Sequence, residues 1–297
     1  MARKIIIGSR GSDLALWQAN FVQSSLKKIG VQSEIQIIKT QGDKIQHLSF
    51  DKMEGKGFFT KEIEEALLNN SIDLAVHSHK DLETNQPAGL KVAAVSKRED
   101  PSELILIKKS SYDPDQKYGI KINGVIGTSS ARRQTQLVAA RPDLQMKDLR
   151  GNVPTRIDKL RDQDYDAIML ANAGVKRLKI DLSEFENIVL DPKEFVPAPA
   201  QGVLGFQIRK EDSELEEILQ QLNSQEIQEE IAVERAVLNR MEGGCQLPLG
   251  VYCEKKDRYK VWLSFAKDKG GVASYFVLEG EEADVLVEGS LRELRKL

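Results

Sequence analysis

The sequence predicts an α/β protein of two lobes with a hinged cleft, followed by a small α+β domain. Three observations carry this. Short apolar runs alternate with helical-period segments from the start of the chain, the β-α-β-α-β rhythm of a parallel sheet. Charge and proline break that rhythm at residues 96–101 and 191–202, which marks two crossings between lobes and hence a hinge. From residue 213 the chain turns helical and then gives three strands in succession, the pattern of a separate mixed domain. The expected division is residues 1–99 with 196–216 as the first lobe, 100–195 as the second, and 217–297 as the C-terminal domain.

At 297 residues, 40% hydrophobic and 30% charged, the chain is long enough for two or three cores and reads as soluble and globular. No apolar run reaches the ~20 residues of a membrane span. The basic start Met1-Ala2-Arg3-Lys4 opens too short an apolar run for a secretory signal, so a cytoplasmic location is expected. The two cysteines, Cys245 and Cys253, do not make a disulfide scaffold, and the histidines offer no ligand spacing beyond His77 and His79, so no metal is expected. A net charge of -3 argues against a nucleic-acid partner; arginines gathered in one region then mean a local anion site.

Residues 4–7 read as the first strand. Gly8-Ser9-Arg10-Gly11-Ser12 turns into a helix carrying Leu14, Trp17, Phe21 and Ile29 at helical spacing, with Ser12 as N-cap and Gly30 as the stop. A second strand at 34–39 leads into a polar stretch running through Asp43 to Gly55-Lys56-Gly57, too long for a tight connection and read as a lid. A helix at 60–69 presents Ile63, Ala66 and Leu67 to a core. The run 72–76 is too short for a helix and reads as a buried parallel strand that hands the chain to His77-Ser78-His79-Lys80-Asp81. Ligands of open α/β sheets collect beyond the carboxyl ends of such strands, which makes Lys80 and Asp81 a candidate catalytic pair; taken alone, they fit a solvated loop pair better, and the rest of the sequence shifts that balance. Residues 90–95 give another strand before the first crossing.

The second lobe concentrates arginine. Residues 125–130 read as strand, turn and helix N-terminus, followed at once by Arg132 and Arg133. Cations in a first helical turn oppose the helix dipole at roughly 0.3–1 kcal/mol each, a cost that a bound anion reverses. The arrangement repeats with a strand at 144–149, the turn Arg150-Gly151-Asn152, and Pro154-Thr155-Arg156 opening a helix where proline fits. A strand at 166–170 precedes Arg177. Arginines beside strand ends suit carboxylates and phosphates. Past the second crossing, residues 203–208 form a strand that rejoins the first sheet, and after two helical segments Gly243-Gly244 leads to Cys245. Cys253 reads as structural, and His77 and His79 read as packing and hydrogen-bonding residues.

Six motifs in this order resemble the porphobilinogen deaminase (hydroxymethylbilane synthase) family: Ser9-Arg10 with Leu14-Ala15-Leu16-Trp17-Gln18-Ala19, Gly55-Lys56-Gly57, Ala75-Val76-His77-Ser78 with Lys80-Asp81, Gly127-Thr128-Ser129-Ser130 with Arg132-Arg133-Gln134, Leu149-Arg150-Gly151-Asn152-Val153, and Glu242-Gly243-Gly244-Cys245-Gln246. The likeness runs from Ile5 to about Cys253. It implies a transferase of tetrapyrrole and haem biosynthesis that condenses four porphobilinogen molecules, with release of ammonia, into hydroxymethylbilane. It also implies type II periplasmic-binding-protein-like lobes, a monomer, and a dipyrromethane cofactor joined by a thioether to Cys245.

On that resemblance Asp81 and Lys80 are the catalytic pair and also contact the cofactor, together with Arg132, Arg133, Ser129 and Ser130. Arg10, Ser12, Gln18, Arg150, Arg156, Arg177 and Phe59 fall to the substrate, although Phe59 also fits a core. The chain departs from the pattern at His79, at Leu82-Glu83 and in residues 199–204, which bears on the loop around Asp81. A second reading is a non-enzymatic two-lobe module that binds a small carboxylate or phosphate. It accounts for the crossings and the arginines but has no use for Cys245.

Overall fold

The computed structural model describes residues 3–40, 60–241 and 247–297. Its elements run β1 (Ile5–Ser9), α1 (Asp13–Lys28), β2 (Ser33–Ile37), α2 (Lys61–Leu68), β3 (Leu74–Ser78) and β4 (Leu90–Val95). They continue as β5 (Glu103–Lys108), β6 (Val125–Gly127), α3 (Ala131–Ala140), β7 (Gln145–Lys147), α4 (Val153–Asp162), β8 (Ala167–Ala171), α5 (Asn172–Leu178) and β9 (Phe185–Leu190). Last come β10 (Leu204–Arg209), α6 (Ser213–Gln220), α7 (Gln225–Arg240), β11 (Leu249–Lys255), β12 (Tyr259–Phe265), β13 (Ser274–Gly280) and α8 (Ala283–Leu294). Two compact units contain them, Met1–Glu99 with Val203–Gln228 and Asp100–Gly202 with Glu229–Leu297.

The first unit holds a five-stranded sheet of order β2-β1-β3-β10-β4. β3 runs parallel to β1, as expected, but antiparallel to β10, which returns from the second crossing to lie between β3 and β4. One face packs Ala19, Val22 and Leu26 of α1 and Leu215 and Leu219 of α6 against Ile5, Ile7, Val76 and Phe206. The other packs Ile63, Ala66 and Leu67 of α2 against Ala75 and Leu90. The helix stripe read from the sequence for α1 is corrected here: the core-facing residues are Gln18, Ala19, Val22 and Leu26, whereas Phe21 is exposed and stacks on Trp17, ring centroids 5.5 Å apart.

At the end of this sheet remote from Asp81 along β3, Asp73 accepts from the Ile6 N–H and pairs with Arg3 and Arg209 at 2.5 and 2.9 Å. Burial alone raises the Asp73 carboxyl, but these donors outweigh it and hold the group below the usual carboxylate range.

The second unit repeats the plan with the order β7-β6-β8-β5-β9, β5 antiparallel to both neighbours. Two sheets with one order bear out the expected pair of like α/β lobes. The alternation of β5 explains its burial: Leu104 and Leu106 pack with Ile157, Leu160 and Val175 on one face, Ile105 and Ile107 with Leu137 and Phe195 on the other. β5 and β9 are absent from the sequence reading. The same unit contains the antiparallel sheet β11-β12-β13, whose inner face packs on α7 and α8 through Val237, Val251, Leu263 and Leu291. This is the small C-terminal sheet domain expected. Among the described residues no helix is long and apolar enough to cross a membrane, and no group of three or more His, Cys, Asp or Glu is placed to hold a metal ion.

Candidate active site

In the first unit the site is built on the carboxyl end of β3. The strand is followed by a 3-10 turn, His79–Asp81, in which Asp81 is exposed and Lys80 half-buried. The turn is fixed from below: the His79 N–H donates to Val203 O at 2.9 Å, and His79 and Leu82 are buried against β10. Gly205 makes that approach feasible, since a Cβ there would lie 3.2 Å from both side chains. The departures at His79 and Leu82 thus fill a buried underside and leave Lys80 and Asp81 at the surface of the turn.

Gln18, expected at the substrate, is 4% exposed and donates to Ser78 Oγ at 2.9 Å, so it braces the end of β3. Ser12 caps α1, accepting from the Ala15 N–H at 3.4 Å, and Arg10 stands half-buried between β1 and that cap. His77 is buried; desolvation, reinforced by the charge of Arg10, lowers its pKa to about 4 against the opposing bond to Gln207. The ring is therefore neutral at pH 7.

In the second unit the turn after β6 meets the N-terminus of α3. Ser129 Oγ donates to Leu149 O at 3.1 Å and accepts from the Leu149 N–H at 3.0 Å, which ties this turn to Arg150. Ser130 is the N-cap residue of α3, and its side chain makes no capping bond among the described residues. α4 differs: Asn152 caps it by accepting from the Thr155 N–H at 2.9 Å. Arg150 and Arg156 are half-buried, and Arg156 Nε donates to Gly151 O at 2.8 Å.

The remaining arginines, Arg132, Arg133 and Arg177, make inward hydrogen bonds. Arg132 Nη2 donates to Glu103 Oε1 at 2.5 Å and Nη1 to Val196 O at 2.8 Å. Arg133 Nη2 donates to Glu103 Oε2 at 2.7 Å and Nη1 to Met169 O at 2.9 Å. Both are 5% exposed and Glu103 is wholly buried. Burial lowers the Arg132 pKa, with Arg133 adding to the effect and Glu103 opposing it. Among the described residues two guanidinium groups face one carboxylate under the N-terminus of α3, and Arg133 Nε is buried there without a hydrogen-bond partner. Arg177, 7% exposed, donates to Gly202 O at 2.6 Å. Cys245, Phe59, Asp43, Gly55 and Gly57 lie outside the described residues.

The sequence reading misses Glu103, because an acid at the start of an apolar run reads as a boundary rather than as a buried anchor. It also misses Glu234 of α7, 0% exposed, which accepts from the N–H groups of Ala200 and Cys253 at 2.6 and 2.9 Å. The signal for Glu234 is its place within the Ile231-Val233-Val237 stripe.

The second unit thus brings together the N-terminus of α3, the buried Arg132–Glu103–Arg133 cluster beneath it and the half-buried Arg150 and Arg156. Family models match most of the chain. The model for the porphobilinogen deaminase dipyrromethane cofactor binding domain matches residues 5–217, and that for the porphobilinogen deaminase C-terminal domain matches residues 228–268. The chain is 43% identical to porphobilinogen deaminase of Carboxydothermus hydrogenoformans, over 100% of this chain and 92% of that one. It is 46% identical to the Bacillus velezensis protein of the same name over 88% and 82%, and 41% identical to that of Clostridium novyi over 90% and 89%. With family models over most of its length and relatives above 40% identity, the chain belongs to the porphobilinogen deaminase family.

Proposed function

We propose that the chain is the transferase that condenses four porphobilinogen molecules head to tail, releasing ammonia at each step, to form the linear tetrapyrrole hydroxymethylbilane of porphyrin and haem biosynthesis. The observation that carries this reading is family membership across nearly the whole chain. When bound, a dipyrromethane cofactor supplies the primer to which substrate is joined, and Cys245 is the residue we assign to hold it by a thioether.

The roles of the chain's own residues follow from charge. Loss of ammonia from porphobilinogen leaves positive charge on the substrate pyrrole and its N–H. Asp81, exposed at the end of β3, is the carboxylate we assign to that N–H. A unit charge about 4 Å away at an effective dielectric near 20 stabilises it by roughly 4 kcal/mol, or about three decades in rate. Lys80, beside it in the turn, meets a substrate carboxylate. Each porphobilinogen carries an acetate and a propionate, which Arg150, Arg156 and Arg10 take as ion pairs while Ser130 and the α3 N-terminus donate hydrogen bonds. Arg132 and Arg133, held by Glu103, supply positive potential from beneath. Arg177 and Gln18 act by supporting the backbone and Ser78. The same reading makes the protein a cytoplasmic monomer that works without a metal, nucleic acid or membrane.

Incubation with porphobilinogen tests it. Stoichiometric ammonia release and hydroxymethylbilane are expected, and binding without ammonia release favours the two-lobe binding module instead.

A further inference from the structure

β10 carries one amide in an otherwise apolar run, Leu204-Gly205-Phe206-Gln207-Ile208. Gln207 is 0% exposed, so each of its polar atoms needs a partner inside the protein. Its Nε2 donates to Glu64 Oε1 at 3.0 Å and to Gln86 Oε1 at 2.8 Å, which uses both amide protons. Its Oε1 lies 3.0 Å from His77 Nε2. That oxygen only accepts, so the proton of the neutral imidazole sits on Nε2. Gln86 in turn donates to Glu83 O at 2.7 Å.

The three partners come from three segments. Glu64 is on α2, His77 is on β3 four residues before Asp81, and Gln86 lies in the loop five residues after it. A single buried amide therefore grips both chain ends of the turn that carries Lys80 and Asp81, and fastens them to α2. Ala75, directly opposite Gln207 in the strand register, is small enough to let the amide reach His77. A leucine of similar size at position 207 would leave the Glu64 carboxylate and the His77 N–H without this partner. A glutamate would set a second carboxylate against Glu64.

We propose that Gln207 is a positioning residue for the condensation: its amide, shared by His77, Glu64 and Gln86, fixes the turn that presents Asp81 to the substrate pyrrole. This rests on the assignment of Asp81 as the charge-stabilising carboxylate.

The test compares Gln207→Leu, Gln86→Leu and the exchange Glu64→Gln/Gln207→Glu in the cofactor-loaded enzyme, with folding checked by thermal denaturation. Gln207→Leu is expected to lose at least tenfold in kcat with KM within twofold. The exchange, which restores one amide and one carboxylate in swapped places, is expected to recover most of that loss, and long-range proton–nitrogen NMR should find the His77 proton on Nε2 in the native protein. A folded Gln207→Leu with kcat within twofold of native overturns the proposal. If Gln207→Leu does not fold, Gln86→Leu decides: at least a threefold fall in kcat supports the proposal, and an unchanged kcat overturns it. Asp81→Asn, measured alongside, separates the two claims. Near-native turnover there removes the reading on which this one rests, whereas slow turnover with a normal Gln207→Leu overturns the positioning role alone.

Discussion

Glu103 Oε1 lies 2.5 Å from Arg132 Nη2, with Glu103 wholly buried and its second oxygen 2.7 Å from Arg133. Removing one member of a buried ion cluster leaves the others uncompensated, which costs about 3–5 kcal/mol. Glu103→Gln is therefore expected to lower the stability of the protein by that amount in chemical denaturation. A change below about 1 kcal/mol would mean that the two arginines have other sufficient partners.

His77 links stability to pH. Its pKa falls from 6.5 to about 4 on folding, because burial disfavours the imidazolium. The unfolded chain then binds a proton that the folded chain refuses, so its contribution is complete above pH 6.5 and is lost progressively as pH falls from 6.5 to 4. The size is about 3 kcal/mol at 1.36 kcal/mol per pKa unit. Unfolding free energy measured across this window should fall with acid in the native protein and more shallowly in His77→Gln. Equal slopes would show that the ring is protonated in the folded state.

Gly151 sets the turn between Arg150 and α4. Its φ is +115°, and a Cβ there would lie 2.7 Å from Thr155 Cγ2. Gly151→Ala should cost about 1–3 kcal/mol of local strain and move the Arg156 contact to Gly151 O. The expected readout is a raised KM for porphobilinogen, and an unchanged KM would detach this turn from substrate binding.

Cys245 is assigned the covalent link to the cofactor. Mass spectrometry of the denatured protein should show the intact chain plus two linked pyrroles, and Cys245→Ser should lack that addition and the colour reaction with an acidic aldehyde reagent. Full addition in Cys245→Ser would move the attachment elsewhere.

Much of the fold is legible in the sequence where one face of an element is apolar. α2 is the clear case: Ile63, Ala66 and Leu67 are the residues that it buries. The end of β3 and the turn after it are legible because the run 72–76 is short and stops at polar residues. α1 misleads because it has two candidate stripes. The large residues Leu14, Trp17 and Phe21 suggest one face, but the sheet takes the face with small Ala19 and with Gln18, whose amide is satisfied by Ser78.

β5 escapes because Leu104-Ile105-Leu106-Ile107 is apolar on both faces and shows no period. For the site, residue types are readable and partners are not. Arg132 and Arg133 are legible as cations, but their partner Glu103, about thirty positions earlier, is not. Gln207 gains meaning only when β10 is inserted beside β3, a pairing of residues far apart in the chain.

The most direct test is the steady-state rate of hydroxymethylbilane formation by cofactor-loaded Asp81→Asn beside the native enzyme. Removing the carboxylate while keeping its shape should cut kcat by about three decades, from the roughly 4 kcal/mol assigned to its charge, with folding and cofactor content unchanged. Turnover within a few-fold of native would contradict the account at its centre.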